Sequence, residues 1–97
     1  MEYTTEIVEN LLRNYYSLQQ HPDSTFSDYY VDLTSGLNTM KQNSEILYST
    51  IVNVFVNGMP IQEKAKMDGV TTRQVNYRLH DGLDLLTIIM NGELDAG

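Results

Sequence analysis

The chain has 97 residues, 41% of them hydrophobic, and a formal net charge of −7. This length suits one domain with one core, and the apolar content argues against wholesale disorder. The chain has no cysteine, no basic N-terminal signal segment and no apolar run near the roughly 18 residues that span a bilayer, so we expect a soluble cytoplasmic protein without disulfides or thiolate metal ligands.

The first predicted element is an amphipathic helix over residues 5–20. Its apolar residues recur at spacings of four, four and three, as on one face of a helix. These residues are Ile7, Leu11, Tyr15 and Leu18. Thr4 or Thr5 is suited to cap the start of this helix. Pro22 ends the helix because proline cannot donate the helical hydrogen bond, and we expect His21 beside it to lie in a loop.

A second helix is predicted where apolar residues again recur at three, four and three. They are Tyr30, Leu33, Leu37 and Met40. Gly36 lies inside this run and costs about 1 kcal/mol of helix propensity relative to alanine.

The next segment, SEILYSTIVNVFVNG, fits either a helix or a strand. Its valines and isoleucines favour a strand, and Asn57-Gly58 is a hairpin signal when apolar runs flank both sides. The residues that follow, MPIQEKAK, supply no second strand. Ser44 can start a helix and Gly58 can end one, so we predict a helix.

The remaining elements form a predicted helix-turn-helix. Residues 60–67 form a short helix, and Gly69 suits a sharp turn because glycine reaches positive φ without a Cβ clash. Thr71 and Gln74 have the spacing of a capping box that begins a last helix of about twenty residues. Its apolar stripe is Val75, Leu79, Leu83, Leu86 and Met90. We therefore predict an all-α single domain of about five helices, in which residues 1–56 support the helix-turn-helix and extended last helix of residues 57–92.

Charge is unevenly distributed along the chain. Residues 1–56 have two cations against seven carboxylates, and the last fifteen residues have three carboxylates and no cation. Residues 57–82 have four cations against three carboxylates, a balance of +1. The cations of this segment are Lys64, Lys66, Arg73 and Arg78. Local positive charge is what phosphate contacts need, so this segment is the candidate for a nucleic-acid surface.

Residues 58–86, GMPIQEKAKMDGVTTRQVNYRLHDGLDLL, carry a family resemblance. The stretch fits a pattern made of a small residue, a glycine, V-T/S, V-x-x-R-L and G/A-L-x-x-L in that order. The residues at these positions are Ala65, Gly69, Val70, Thr71, Val75, Arg78, Leu79, Gly82, Leu83 and Leu86. The stretch resembles the promoter-recognising C-terminal domain of bacterial sigma factors and the C-terminal domains of phage late-gene transcriptional activators of the ArpU and RinA group. The resemblance implies a phage or prophage transcription regulator that binds DNA.

Lys64 and Asp68 depart from this pattern, because the family usually has apolar residues at both positions. Two alternatives are open. Either Ile61 and Met67 supply the packing, and Lys64 and Asp68 form an exposed i, i+4 pair worth about 0.2–0.5 kcal/mol, or the unit is not a standard helix-turn-helix.

Helix geometry selects the candidate DNA contacts. If Val75 and Leu79 face the core, another set of polar residues faces a major groove. That set is Thr72, Arg73, Asn76, Tyr77 and His80. Arg73 is suited to guanine and Asn76 to adenine, each with about 1–3 kcal/mol of base discrimination. Candidate phosphate contacts are Thr71, Lys64, Lys66 and Arg78.

No pattern indicates an enzyme or a cofactor. The two histidines are far apart in the sequence, and neither a glycine-rich phosphate loop nor a serine elbow is present. The expected partner is double-stranded DNA, with RNA polymerase and a second copy of the chain as further candidates. The alternative is a protein-interaction module of sigma-like type that docks on RNA polymerase or another regulator, which the acidic overall charge favours.

Overall fold

The computed structural model describes residues 2–20 and 26–93, and all regular structure in these residues is helical. The predicted all-α fold is confirmed, with six helices where about five were expected. They are α1 (Thr5–Arg13), α2 (Tyr15–Gln19), α3 (Phe26–Asn43), α4 (Glu45–Ile51, extended by a π-helical turn at Val52–Val56), α5 (Ile61–Asp68) and α6 (Thr72–Met90). The predicted break at His21 and Pro22 lies outside the described residues. None of the described helices is long and apolar enough to cross a membrane.

The predicted helix over residues 5–20 is two helices that meet at Asn14. Thr4 caps α1 by accepting a hydrogen bond from the Ile7 N–H at 3.2 Å. Asn14 Nδ2 donates to the Asn10 carbonyl at 2.7 Å. Asparagine competes in this way for backbone groups and is therefore a poor residue for a helix interior.

The segment that fitted either a helix or a strand is helical, as predicted. Ser44 caps α4 by accepting from the Leu47 N–H at 3.3 Å, and Gly58 has a positive φ of 73° after the helix. The π-helical turn was not predicted. At its end the Asn57 N–H donates to the Val52 carbonyl at 3.0 Å, five residues back instead of four.

The last helix, α6, packs against α1, α3, α4 and α5 and forms the centre of the core. The buried apolar residues are Tyr3, Val8, Leu12, Leu18, Leu33, Leu37, Met40, Ile51, Val54, Phe55, Ala65, Val75, Leu79, Leu83 and Leu86. Residues from both predicted parts of the chain belong to this one cluster. The helix α3 approaches α6 closely at Gly36, where a Cβ atom would lie 3.0 Å from Met90 Cγ.

Candidate nucleic-acid interface

The turn between α5 and α6 is set by Gly69, as predicted. Gly69 has φ 68° and ψ 34°, in the left-handed region that favours glycine. The next residue, Val70, donates its N–H to the Ala65 carbonyl at 3.0 Å, and Gly69 donates to the Lys66 carbonyl at 3.3 Å. These two bonds satisfy carbonyl groups at the end of α5 and reverse the chain direction in a Schellman-type stop.

Thr71 begins α6, and its Oγ1 accepts a hydrogen bond from the Gln74 N–H at 3.1 Å. The predicted capping box is half formed, because no return bond from the Gln74 side chain occurs among the described hydrogen bonds. One orphan amide is therefore satisfied by Thr71, and other amides of the first turn remain available to an anion.

The first three turns of α6 expose polar residues on one side and bury apolar residues on the other. Val75 is fully buried and Leu79 is 7% exposed. All five predicted base contacts, Thr72, Arg73, Asn76, Tyr77 and His80, are exposed. Whether they touch bases stays a prediction, but no part of the described chain covers them.

Two of these exposed side chains contact each other. Arg73 Nε donates to Tyr77 Oη at 3.0 Å, and the Arg73 guanidinium carbon lies 5.5 Å from the centroid of the Tyr77 ring. The two residues are four apart, one helical turn. Sequence reasoning named both residues as separate contacts and did not predict this pair.

Asn76 and His80 do not belong to this pair and line a groove of about 430 Å³ between α1 and α6. Glu6, Glu9 and Arg13 of α1 and Asp84 of α6 also line this groove, and Arg13 Nε donates to Glu9 Oε2 at 3.0 Å. The acidic N-terminal half therefore comes next to the predicted base-reading residues without burying them. Asn76 and His80 are consequently in a more negative environment than Arg73 and Tyr77.

The prediction that Lys64 contacts a phosphate is wrong. Its side chain is 1% exposed, and its Nζ donates to Ser49 Oγ at 2.8 Å and to Asp68 Oδ1 at 3.1 Å. A lysine held in this way cannot reach a ligand at the surface. The Lys64–Asp68 pair does form, but it is not the exposed pair that was expected. Met67 is 56% exposed and does not supply the packing assigned to it.

Arg78 is also held by Asp68, at 3.5 Å from its Nη1 to Oδ2, and its side chain is 20% exposed. It therefore has less freedom to contact a phosphate than the sequence predicted. Lys66, by contrast, is exposed. Among the described residues neither Lys66 nor Arg73 forms a salt bridge. These two residues are the cations of α5 and α6 that are open to an anion.

Sequence reasoning missed two contributions from the N-terminal part of the chain. Ser49 of α4 binds the buried lysine, and Glu6 and Glu9 of α1 border α6. The alternation of Glu6, Glu9 and Arg13 along α1 indicated a polar face, but nothing local indicated which helix that face would meet.

Within the described ranges, no group of histidine, aspartate and glutamate side chains is arranged to hold a metal ion. No protein-family model, curated protein or solved structure matches the chain.

Proposed function

We propose that this protein is a sequence-specific DNA-binding transcription regulator that inserts the first turns of α6 into a major groove. The observation that carries the proposal is the exposed polar surface at the start of α6, which follows a left-handed Gly69 and a Thr71 cap. Val75 and Leu79 hold the opposite side of the same turns in the core. A helix anchored on one side, with arginine and asparagine on the other, is suited to reading base edges.

The resemblance of residues 58–86 to sigma-factor and phage-activator domains adds a biological context, a promoter or operator of phage or prophage origin. A single helix-turn-helix covers about one half-site, so binding by a homodimer would extend the site to two. Most apolar residues of the later half of α6 pack into its own core, with Ile88 39% exposed. We therefore assign a second copy to the N-terminal helices, where Tyr16 is 55% exposed.

Duplex binding measured against salt concentration tests the proposal. Lys66 is the open cation assigned to a phosphate, since Arg73 is assigned to a base, so we expect a log–log slope of about −1 per subunit. The duplex is one selected by the purified protein from random sequences. Arg73→Ala and Asn76→Ala should each weaken binding to that duplex by about 5- to 150-fold.

Lys41→Ala is the matched control, because it removes one positive charge from an exposed residue of α3. We expect it to change binding much less than Arg73→Ala. Equal binding by wild type, Arg73→Ala and Asn76→Ala would contradict the proposed use of α6.

The second candidate function is a protein-interaction module that docks on RNA polymerase or another regulator. The groove beside Asn76 and His80 favours it. Its lining has three carboxylates, Glu6, Glu9 and Asp84, against one cation, Arg13, and this negative excess would attract a basic partner and repel phosphates. Association with purified RNA polymerase separates the two candidates. Two results together would favour the interaction module. The Glu6→Gln/Glu9→Gln variant would lose association with the polymerase, and substitutions in α6 would leave duplex binding unchanged.

A further inference from the structure

The surface of α6 contains one cation whose orientation is fixed by an uncharged neighbour. Arg73 Nε donates to Tyr77 Oη at 3.0 Å, one turn further along the helix. Arg13 is instead bonded to Glu9, and Arg78 and Lys64 to Asp68. Within the described ranges Arg73 has no carboxylate partner. Its positive charge is therefore oriented without being neutralised.

The hydrogen bond to Tyr77 also determines which edge of the guanidinium is free. Arginine has five N–H donors, one on Nε and four on the two Nη atoms. When Nε is used by the tyrosine hydroxyl, the remaining edge presents Nη1 and Nη2 side by side. That edge can donate two parallel hydrogen bonds to two neighbouring acceptors.

Guanine offers such a pair of acceptors, O6 and N7, in the major groove, whereas adenine offers one acceptor and one donor there. An arginine presented end-on therefore distinguishes guanine from adenine. Holding the long side chain in place before binding also reduces the conformational entropy that is lost on complex formation.

We propose that Tyr77 is a positioning residue that presents Arg73 end-on to a guanine, an inference that rests on the DNA-binding function proposed above. Tyr77 acts through Arg73 and makes no base contact of its own. Its effect is on base preference at one position of the site, and general attraction to DNA comes from other groups.

A base-pair scan of the selected duplex tests this role. Wild type should prefer G·C at one pair by about 5- to 150-fold over the other pairs. Tyr77→Phe removes the hydroxyl and keeps the ring, and it should reduce this preference by about 2- to 10-fold. Arg73→Lys should reduce it further, since an ammonium group lacks the planar fork. The preference at other pairs and the salt slope of Tyr77→Phe should equal those of wild type.

Replacing that guanine with 7-deazaguanine removes the N7 acceptor and supplies an independent measurement. Wild type should lose affinity for this duplex, and Tyr77→Phe should lose less. Lys66→Ala is the matched control, expected to weaken all duplexes evenly and to keep the guanine preference. Tyr77 is 51% exposed, so Tyr77→Phe should melt at the temperature of wild type.

Three results would overturn the inference. The first is an unchanged guanine preference in Tyr77→Phe, and the second is an even loss of affinity on every duplex. The third is a changed preference at a different base pair, which would make Tyr77 itself the base contact. In all three cases wild type still binds DNA, so the proposed function stands. Failure of wild type to bind any duplex in a salt-dependent way would overturn both.

Discussion

Asn91 holds the backbone of Tyr3 through two hydrogen bonds. Its Oδ1 accepts from the Tyr3 N–H at 2.7 Å, and its Nδ2 donates to the Tyr3 carbonyl at 2.9 Å. Tyr3 is 5% exposed and donates its hydroxyl to Asp32 of α3 at 2.6 Å. The N-terminal segment is thereby tied both to the end of α6 and to α3.

Asn91→Ala should lower the free energy of unfolding by about 1–3 kcal/mol, because it leaves two polar backbone groups of Tyr3 unpaired. Urea denaturation measures this. The control is Asn38→Ala, at an exposed position of α3, which should change stability by less than about 0.5 kcal/mol. Equal effects of the two substitutions would show that the paired contact adds nothing to stability.

The two residues of the Lys64–Asp68 pair should differ in how much their substitution lowers stability. Asp68→Ala leaves Lys64 charged and without its carboxylate, and we expect a loss of about 3 kcal/mol, the lower end for buried pairs because Asp68 still reaches solvent. Lys64→Met removes the charge and keeps the length, so it should cost less than about 1 kcal/mol. Chemical denaturation of both variants checks the difference.

The double variant Lys64→Met/Asp68→Ala completes the cycle. It should be more stable than Asp68→Ala alone, because the uncompensated charge is gone. A double variant as unstable as the sum of the single variants would mean that the two residues act independently.

We predict that alanine in place of Gly82 destabilises the protein more than alanine in place of Gly36. A Cβ atom at Gly82 would lie 2.5 Å from Ile51 Cγ1 and 2.8 Å from Ile51 Cδ1, on a fully buried side chain. We therefore expect Gly82→Ala to lower stability by about 1–3 kcal/mol even though alanine is the better helix former.

At Gly36 an added Cβ would lie 3.0 Å from Met90 Cγ, on a flexible and only partly buried side chain, and 3.1 Å from Cδ1 at the end of the buried Leu86 side chain. Gly36→Ala should thus remain within about 1 kcal/mol of wild type, because the gain in helix propensity offsets the crowding. Thermal melts of the two alanine variants compare them directly. A Gly36→Ala protein less stable than Gly82→Ala would contradict this ranking.

The raised pKa values of Tyr15 and Tyr3 predict a loss of stability at alkaline pH. A hydrogen bond with Tyr30, together with partial burial, raises the pKa of Tyr15 from 10.0 to about 12. Burial and the hydrogen bond to Asp32 raise the pKa of Tyr3 above its usual range as well. The folded protein thus holds these protons more tightly than the unfolded chain does.

The stability that Tyr15 contributes is complete below about pH 10 and is lost as pH rises through about 12. The free energy of unfolding, measured at several pH values across this window, should fall for wild type. It should fall less steeply for Tyr15→Phe, which has no hydroxyl to titrate. Parallel curves for the two proteins would show that Tyr15 is not linked to folding.

The helices α5 and α6 and the turn between them could be predicted because their signals are local. Gly69 sets the turn, Thr71 caps the next helix, and the spacing of Val75 and Leu79 identifies the buried face. Each of these features depends on residues within a few positions of one another, so a short stretch of sequence is enough to predict it.

The surroundings of the site could not be predicted, because they depend on helices distant in the sequence. Lys64 is bonded to Ser49, fifteen residues earlier, and lysine is by default a solvated residue. The groove beside Asn76 exists because α1 packs on α6, which no local pattern in α1 indicates. The helix break at Asn14 is an intermediate case, since asparagine is only weakly unfavourable within a helix.

The π-helical turn at Val52–Val56 is a place where the number of residues in the helix that begins at α4 can change. Such a turn accommodates one more residue than a regular α-helix would, and the helix on either side keeps its register. A chain shortened by one residue within this turn could close as an ordinary α-helix with Ile51 still facing the core and Gly58 still leading into α5. An extra residue has no such accommodation, so this stretch should accept a deletion more readily than an insertion.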